Sequence, residues 1–256
     1  MEQARRFVCQ QKAQYVAETS WRESRGPKWL WVNATQGVTA FHVLDGRSAG
    51  DAQQVISQSA EGVVATDRYW SYNWLAERRR QIRWAHWARA SQALVERSGE
   101  AAVTGQARLK QSRRLFTLWH KVRAGGSARA QLQTAIKPVQ KEVKELLQAG
   151  AQAGHKKTRN TCRNILKLER SLWTFVRVEG VEPTDNAAER PLRRAVLWRK
   201  KSVGAQSTTG SWFVERLLTV VTTVRQQGRD VLAYLTNACR GASSGEALRG
   251  LLPDTS

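Results

Sequence analysis

Near the start of the chain, apolar positions fall in short β-branched and aromatic runs. Residues 14–19 form the first, a turn follows at Gly26-Pro27, and 28–34 carries Trp29-Leu30-Trp31-Val32. Gln36-Gly37 is a hairpin-turn signal before a third run, 38–44 (VTAFHVL). Then the period changes. Ala52, Val55 and Ile56 sit at helical spacing within 51–59, and 62–66 (GVVAT) is a short buried-strand pattern ending at Asp67. Three strands in hairpin linkage, a helix and a fourth strand predict a mixed sheet with one parallel addition, because a crossover returns the chain in its original direction.

Residues 71–80 and 87–96 read as helices flanking a short strand at 81–85. From about residue 88 to 175, apolar residues recur at 3.6 spacing with many Arg and Lys between them. Pro138, then Val139, Val143, Leu146 and Leu147, with Gly150 beyond, form a helix with proline and glycine at sensible ends. Gly125-Gly126 and 150–157 read as joints. Phe213, Leu217, Val220, Val221 and Val224 make one apolar stripe that Gly228 ends. After Gly241, small polar residues predict a loose tail. The organisation expected is 1–87 as the first part of an α/β core, 88–178 as a helical insertion, 179–240 as the rest of the core and 241–256 as tail.

Composition leaves that picture intact and narrows the partner. A 41% hydrophobic and 25% charged chain of 256 residues can bury a core, which excludes wholesale disorder. Forty-two Lys and Arg against 21 Asp and Glu give a net charge of +21. A polyanion relieves that self-repulsion, and nucleic acid is the commonest one, with a membrane surface or a ribosome as alternatives. No apolar stretch is long enough to span a bilayer, and the opening MEQARRFVCQQ lacks the apolar core of a secretory signal, so a cytoplasmic protein is expected. Cys9, Cys162 and Cys239 are too scattered to bind zinc and read as free thiols.

Three stretches concentrate chemistry: Ala17-Glu18-Thr19, the segment from Asp67 through Tyr72-Asn73, and Asp185-Asn186-Ala187-Ala188-Glu189-Arg190 leading to Arg199-Lys200-Lys201. Each has a plain reading. Asp67 at a strand end can cap the next turn. Asn186 and Glu189 fit a capping box as N-cap and N3. His86, between Trp84 and Trp87, fits a packed core histidine.

In order along the chain, these stretches resemble the insertion sequence 66 family of DDE transposases. Its pattern is Asp-Glu-Thr on the first strand, Asp with Tyr-Asn after the fourth, Trp-Ala-His-x-x-Arg, Asn/Asp-Asn-x-x-Glu-Arg and a closing basic run. Here Asp67, Tyr72-Asn73, Trp84-Ala85-His86 with Arg89, Asp185-Asn186, Glu189-Arg190 and Arg199-Lys200-Lys201 match, over about residues 14 to 240. The resemblance implies a ribonuclease-H-like mixed sheet with a helical insertion and C-terminal helices. It implies Asp67 and Glu189 as catalytic and metal-binding carboxylates for Mg2+ or Mn2+, and His86, Asp185 and Asn186 in support; zinc is not expected, because the cysteines are too scattered. It also implies DNA as partner, both transposon ends and target, bound by a homo-oligomer.

One position departs from the family pattern: Ala17 stands where the first carboxylate belongs. Glu18 is no simple replacement, because successive strand side chains point to opposite faces. Neither Asp45 nor Asp51 sits where that ligand belongs. An impaired transposase is therefore expected, with a non-enzymatic DNA-binding remnant or inhibitor of intact transposase as the alternative. Arg68, Arg190, Arg193, Arg194, Arg199, Lys200 and Lys201 form the expected phosphate-contacting set. Trp70 or Trp74 is placed to stack on an unpaired base. The family's N-terminal helical and cysteine-rich zinc-binding segments have no counterpart, which a truncated or decaying gene copy would explain.

Overall fold

The computed structural model describes residues 1–24, 26–184, 186–245 and 250–253, with the Asn186 side chain outside that description. The chain divides into two compact units, 1–75 with 185–256, and 76–184. The first opens on helix α1 (Glu2–Cys9), hidden in the sequence because only Ala4 and Val8, one turn apart, are buried. Strands β1 (Ala13–Glu23), β2 (Gly26–Ala34) and β3 (Thr39–Leu44) follow, then α2 (Ala49–Ile56) and β4 (Val63–Thr66). β2 pairs antiparallel with both β1 and β3, while β4 lies parallel to β1 with Tyr15 opposite Ala65. The three-strand meander with one parallel addition is the arrangement expected from the hydrophobic runs.

The second unit holds β5 (Arg80–Ile82) and helices α3 (Trp84–Val95), α4 (Glu100–Arg123), α5 (Arg129–Ala135), α6 (Lys137–Gly150) and α7 (Lys156–Leu166). Two short helices, α8 (Glu169–Leu172) and α9 (Thr174–Arg177), complete it. Its core is aromatic: Trp84 lies 5.0 Å from Trp173 and 5.5 Å from Trp87 between ring centroids. Ahead of it, 71–80 is no continuous helix. Two 3-10 turns, Trp70–Tyr72 and Glu77–Arg79, stand there, because Tyr72 and Leu75 both bury against α2 and the chain bends to seat them.

The chain returns to the first unit through α10 (Asn186–Ser202), α11 (Thr208–Gln226) and α12 (Val231–Ser244). Strand alternation sorts the core into two faces. Tyr15, Ala17, Leu30, Val32, Phe41 and Ala65 pack with Ala188 and Ala195 of α10 and with Val214 and Leu218 of α11. Val16, Trp31 and Val64 pack with α2 and Tyr72 on the other. A mixed sheet with helices on both faces is the ribonuclease-H-like α/β architecture the sequence implied. α12 runs past Gly241 to Ser244, and Leu251 and Leu252 pack beside Val38 and Ala40.

α11 overturns one expectation about its buried face. Phe213 is 58% exposed, while Ser211, Glu215, Thr219, Thr222 and Thr223 are buried. The reason lies in β3, an edge strand whose outward N–H groups need partners. Val43, Phe41 and Thr39 donate to Glu215, Thr219 and Thr223 in turn. Four helical residues rise about 6.0 Å and two strand residues about 6.6 Å, so an i, i+4, i+8 row of acceptors matches every second N–H of a strand.

Candidate active site

β1 presents neighbouring residues to opposite faces, and here that decides their chemistry. Ala17 is 3% exposed and packs in the cluster that includes Ala188 and Ala195. Glu18 turns toward α2, and its side chain is only 4% exposed. It accepts a hydrogen bond from the Tyr72 hydroxyl at 2.5 Å and lies 3.8 Å from the Arg47 guanidinium. That guanidinium sits over Tyr69 at 3.7 Å and over Trp29 at 4.4 Å from the ring centroids, a cation–π sandwich. Glu18 thus has a structural task on the face away from Ala17. Sequence reading missed both partners, since nothing local links Arg47 or Tyr72 to residue 18.

Asp67 stands one residue past the end of β4 and is half-buried. Its carboxylate accepts the Tyr69 backbone N–H at 2.8 Å, a local turn that leads into the 3-10 turn whose N-cap is Tyr69. Two residues after Tyr15, Ala17 returns to the face of β1 covered by α10, while Asp67, two residues after the paired Ala65, lies beyond the strand. Glu189 rides α10 on the residue after the buried Ala188 and is exposed. Asn186 is the first residue of α10 and Glu189 lies in its first turn, and the capping box read for them falls outside the described residues. Asp185 and the Asn186 side chain lie outside the described residues. His86 belongs to the second unit, half-buried on α3, with an Arg89 nitrogen 3.4 Å from its ring.

The other acids near β1 have local partners. Asp51 closes a capping box with Ser48 at the start of α2, and Asp45 pairs with Lys28. Among the described residues no group of three His, Cys, Asp or Glu side chains stands close enough to hold a metal. In the basic set, Arg190, Arg193, Arg194, Lys200 and Lys201 are exposed along α10. Arg199 differs: its guanidinium donates to Thr19 Oγ1 at 3.1 Å and to Ser20 Oγ at 2.5 Å, tying α10 to β1. Arg68 is half-buried. Trp74 packs against the α2-side cluster, whereas Trp70 is 55% exposed beside Tyr69.

A comparison with protein families matches residues 1–212 to the family described as Transposase IS66 family. The chain belongs to the IS66 transposase family. No curated protein and no solved structure matches it. Membership supports a transposase role, with DNA as partner and divalent-metal chemistry as the family's general mode. No helix among the described residues is long and apolar enough to cross a membrane.

Proposed function

We propose that this chain is the core of a DNA transposase for an insertion sequence, with Asp67 and Glu189 as the remaining catalytic carboxylates and strand cleavage and transfer impaired by Ala17. The observation that carries the reading is the burial of Ala17 on the α10 face, while Glu18 is held on the other by Tyr72 and Arg47. In such chemistry, hard oxygen ligands hold Mg2+ or Mn2+ at the reacting phosphate. One fewer carboxylate weakens that hold. Loss of a preorganised charged group of this kind costs about 2.7–4 kcal/mol in the rate-limiting barrier. The chain's own residues still supply positioning: exposed Arg190, Arg193, Arg194, Lys200 and Lys201 suit backbone phosphates.

The retained basic helix also favours a second reading, a DNA-binding remnant that inhibits intact transposase by mixed assembly. One experiment separates the two. Purified chain and Ala17→Asp are incubated with transposon-end DNA and Mg2+ or Mn2+, and strand cleavage and transfer are followed. Weak or absent product from the parent with recovery in Ala17→Asp supports the impaired enzyme. DNA binding that survives Asp67→Ala and Glu189→Ala, with no recovery in Ala17→Asp, supports the remnant. Efficient cleavage by the parent chain would show that Ala17 is no lesion.

A further inference from the structure

Charge is not spread evenly over the fold. Residues 76–184 contain 23 Lys and Arg against 8 Glu and no Asp, a net +15 out of the chain's +21. Within that unit no acidic residue lies between Glu145 and Glu169. α7 occupies this interval, and its solvent face, continued by the C-cap Lys167, carries Lys156, Lys157, Asn160, Arg163 and Asn164, all six exposed. At about 100° per residue these six fall within about 120° of the helix circumference. Cys162 and Ile165 are buried on the opposite side. Gly150 of α6 lets Cys162 approach so closely that an added Cβ would meet its sulfur at 2.5 Å. The helix is therefore seated, with one face committed to the core and one to solvent.

The composition of that outer face is not what helix stability selects. Lys156 and Lys157 occupy the first turn, where the helix dipole is itself positive and acids are favoured. Asn160 and Asn164, one turn apart, are poor helix formers. Arg159 and Arg163 are partly engaged elsewhere, donating to the Ala153, Gly154 and Ala151 carbonyls past the end of α6. Lysines flanking a pair of asparagines are instead the chemistry of a duplex-reading helix: ammonium groups for phosphates and carboxamides for adenine edges.

We infer that the outer face of α7 is a duplex-DNA contact surface separate from α10, with Lys156, Lys157 and Lys167 on phosphates and Asn160 and Asn164 on base edges of the major groove. An α-helix fits a B-form major groove about 12 Å wide. It does not fit the deep, narrow major groove of duplex RNA, which makes DNA the occupant. The inference rests on the transposase reading for its partner and adds to it where the duplex is held.

The test uses the whole chain and a mixed-sequence DNA duplex, with affinity measured by fluorescence anisotropy across a salt series. Combined replacement Lys156→Ala, Lys157→Ala and Lys167→Ala should lower the slope of log affinity against log salt by about 0.9 per lysine removed. Asn160→Ala with Asn164→Ala should leave the slope unchanged and remove adenine preference from sites selected out of a randomised duplex pool. Circular dichroism and a thermal melt establish that each variant is folded. A folded triple-lysine variant with the parent slope overturns the inference, as do selected sites indifferent to the asparagines or tighter binding of duplex RNA. A parent chain that binds no DNA at all defeats the transposase reading as well, so the two failures are distinguishable.

Discussion

The carboxylate of Glu18 accepts the hydroxyl of Tyr72 on the face of β1 that Ala17 turns away from. Glu18→Ala would remove the hydrogen bond from that hydroxyl and the carboxylate paired with half-exposed Arg47, at a cost of about 1–3 kcal/mol. A urea unfolding midpoint measures the loss, and Glu18→Gln should recover part of it. In an Ala17→Asp background, Glu18→Ala should leave Mn2+ affinity unchanged. Loss of that affinity would make Glu18 a ligand and refute the separation of faces.

Ala17→Asp puts a carboxylate among Tyr15, Ala188 and Ala195. Without metal the variant should be less stable than the parent by about 1–3 kcal/mol, since a charge enters an apolar cluster. Mn2+ should restore about 2.7 kcal/mol when free ion is near 100 times its dissociation constant. Calorimetric melts with and without Mn2+ check this. An equal Mn2+ shift in the parent would mean that the two remaining carboxylates suffice.

His42 gives the fold a defined acid sensitivity. Burial, and secondarily the charge of Arg5, pushes its imidazole down to about 3, and its ring Nε2 has no hydrogen-bond partner among the described residues. A folded value below the unfolded one means the unfolded chain takes up a proton that the folded chain refuses. Stability is therefore present above about 6.5 and falls by about 1.4 kcal/mol per pH unit as pH drops from there toward 3. Glu215 acts in the opposite sense. Burial raises its carboxyl despite the Val43 N–H and Arg5 beside it, so its contribution is present below the unfolded value and lost as pH rises through the raised one. Urea midpoints across pH should show a flattened acid limb in His42→Gln and a steeper one in Glu215→Gln.

The Thr219 hydroxyl accepts the Phe41 N–H at 3.0 Å, and Thr219→Val keeps shape while orphaning a buried donor. The expected cost is about 1–3 kcal/mol, with Thr219→Ser close to the parent. A valine variant as stable as the parent would mean that α11 holds β3 by packing alone.

The strand runs, the turn signals and the single crossover were legible in the residues themselves, because short-range alternation is written locally. So were the ordered motifs that place the chain in the IS66 transposase family. The polar helix α1 and the true buried face of α11 were not. In both, burial depends on what the partner strand or cluster demands, and for α11 the unmet N–H groups of β3 outweighed the apolar stripe from Phe213 to Val224. The sequence alone determined that Ala17 and Glu18 must face opposite ways, since a strand has a period of two. Only the tertiary structure decided which face belongs to α10, and that Tyr72 and Arg47, distant along the chain, hold Glu18 on the other.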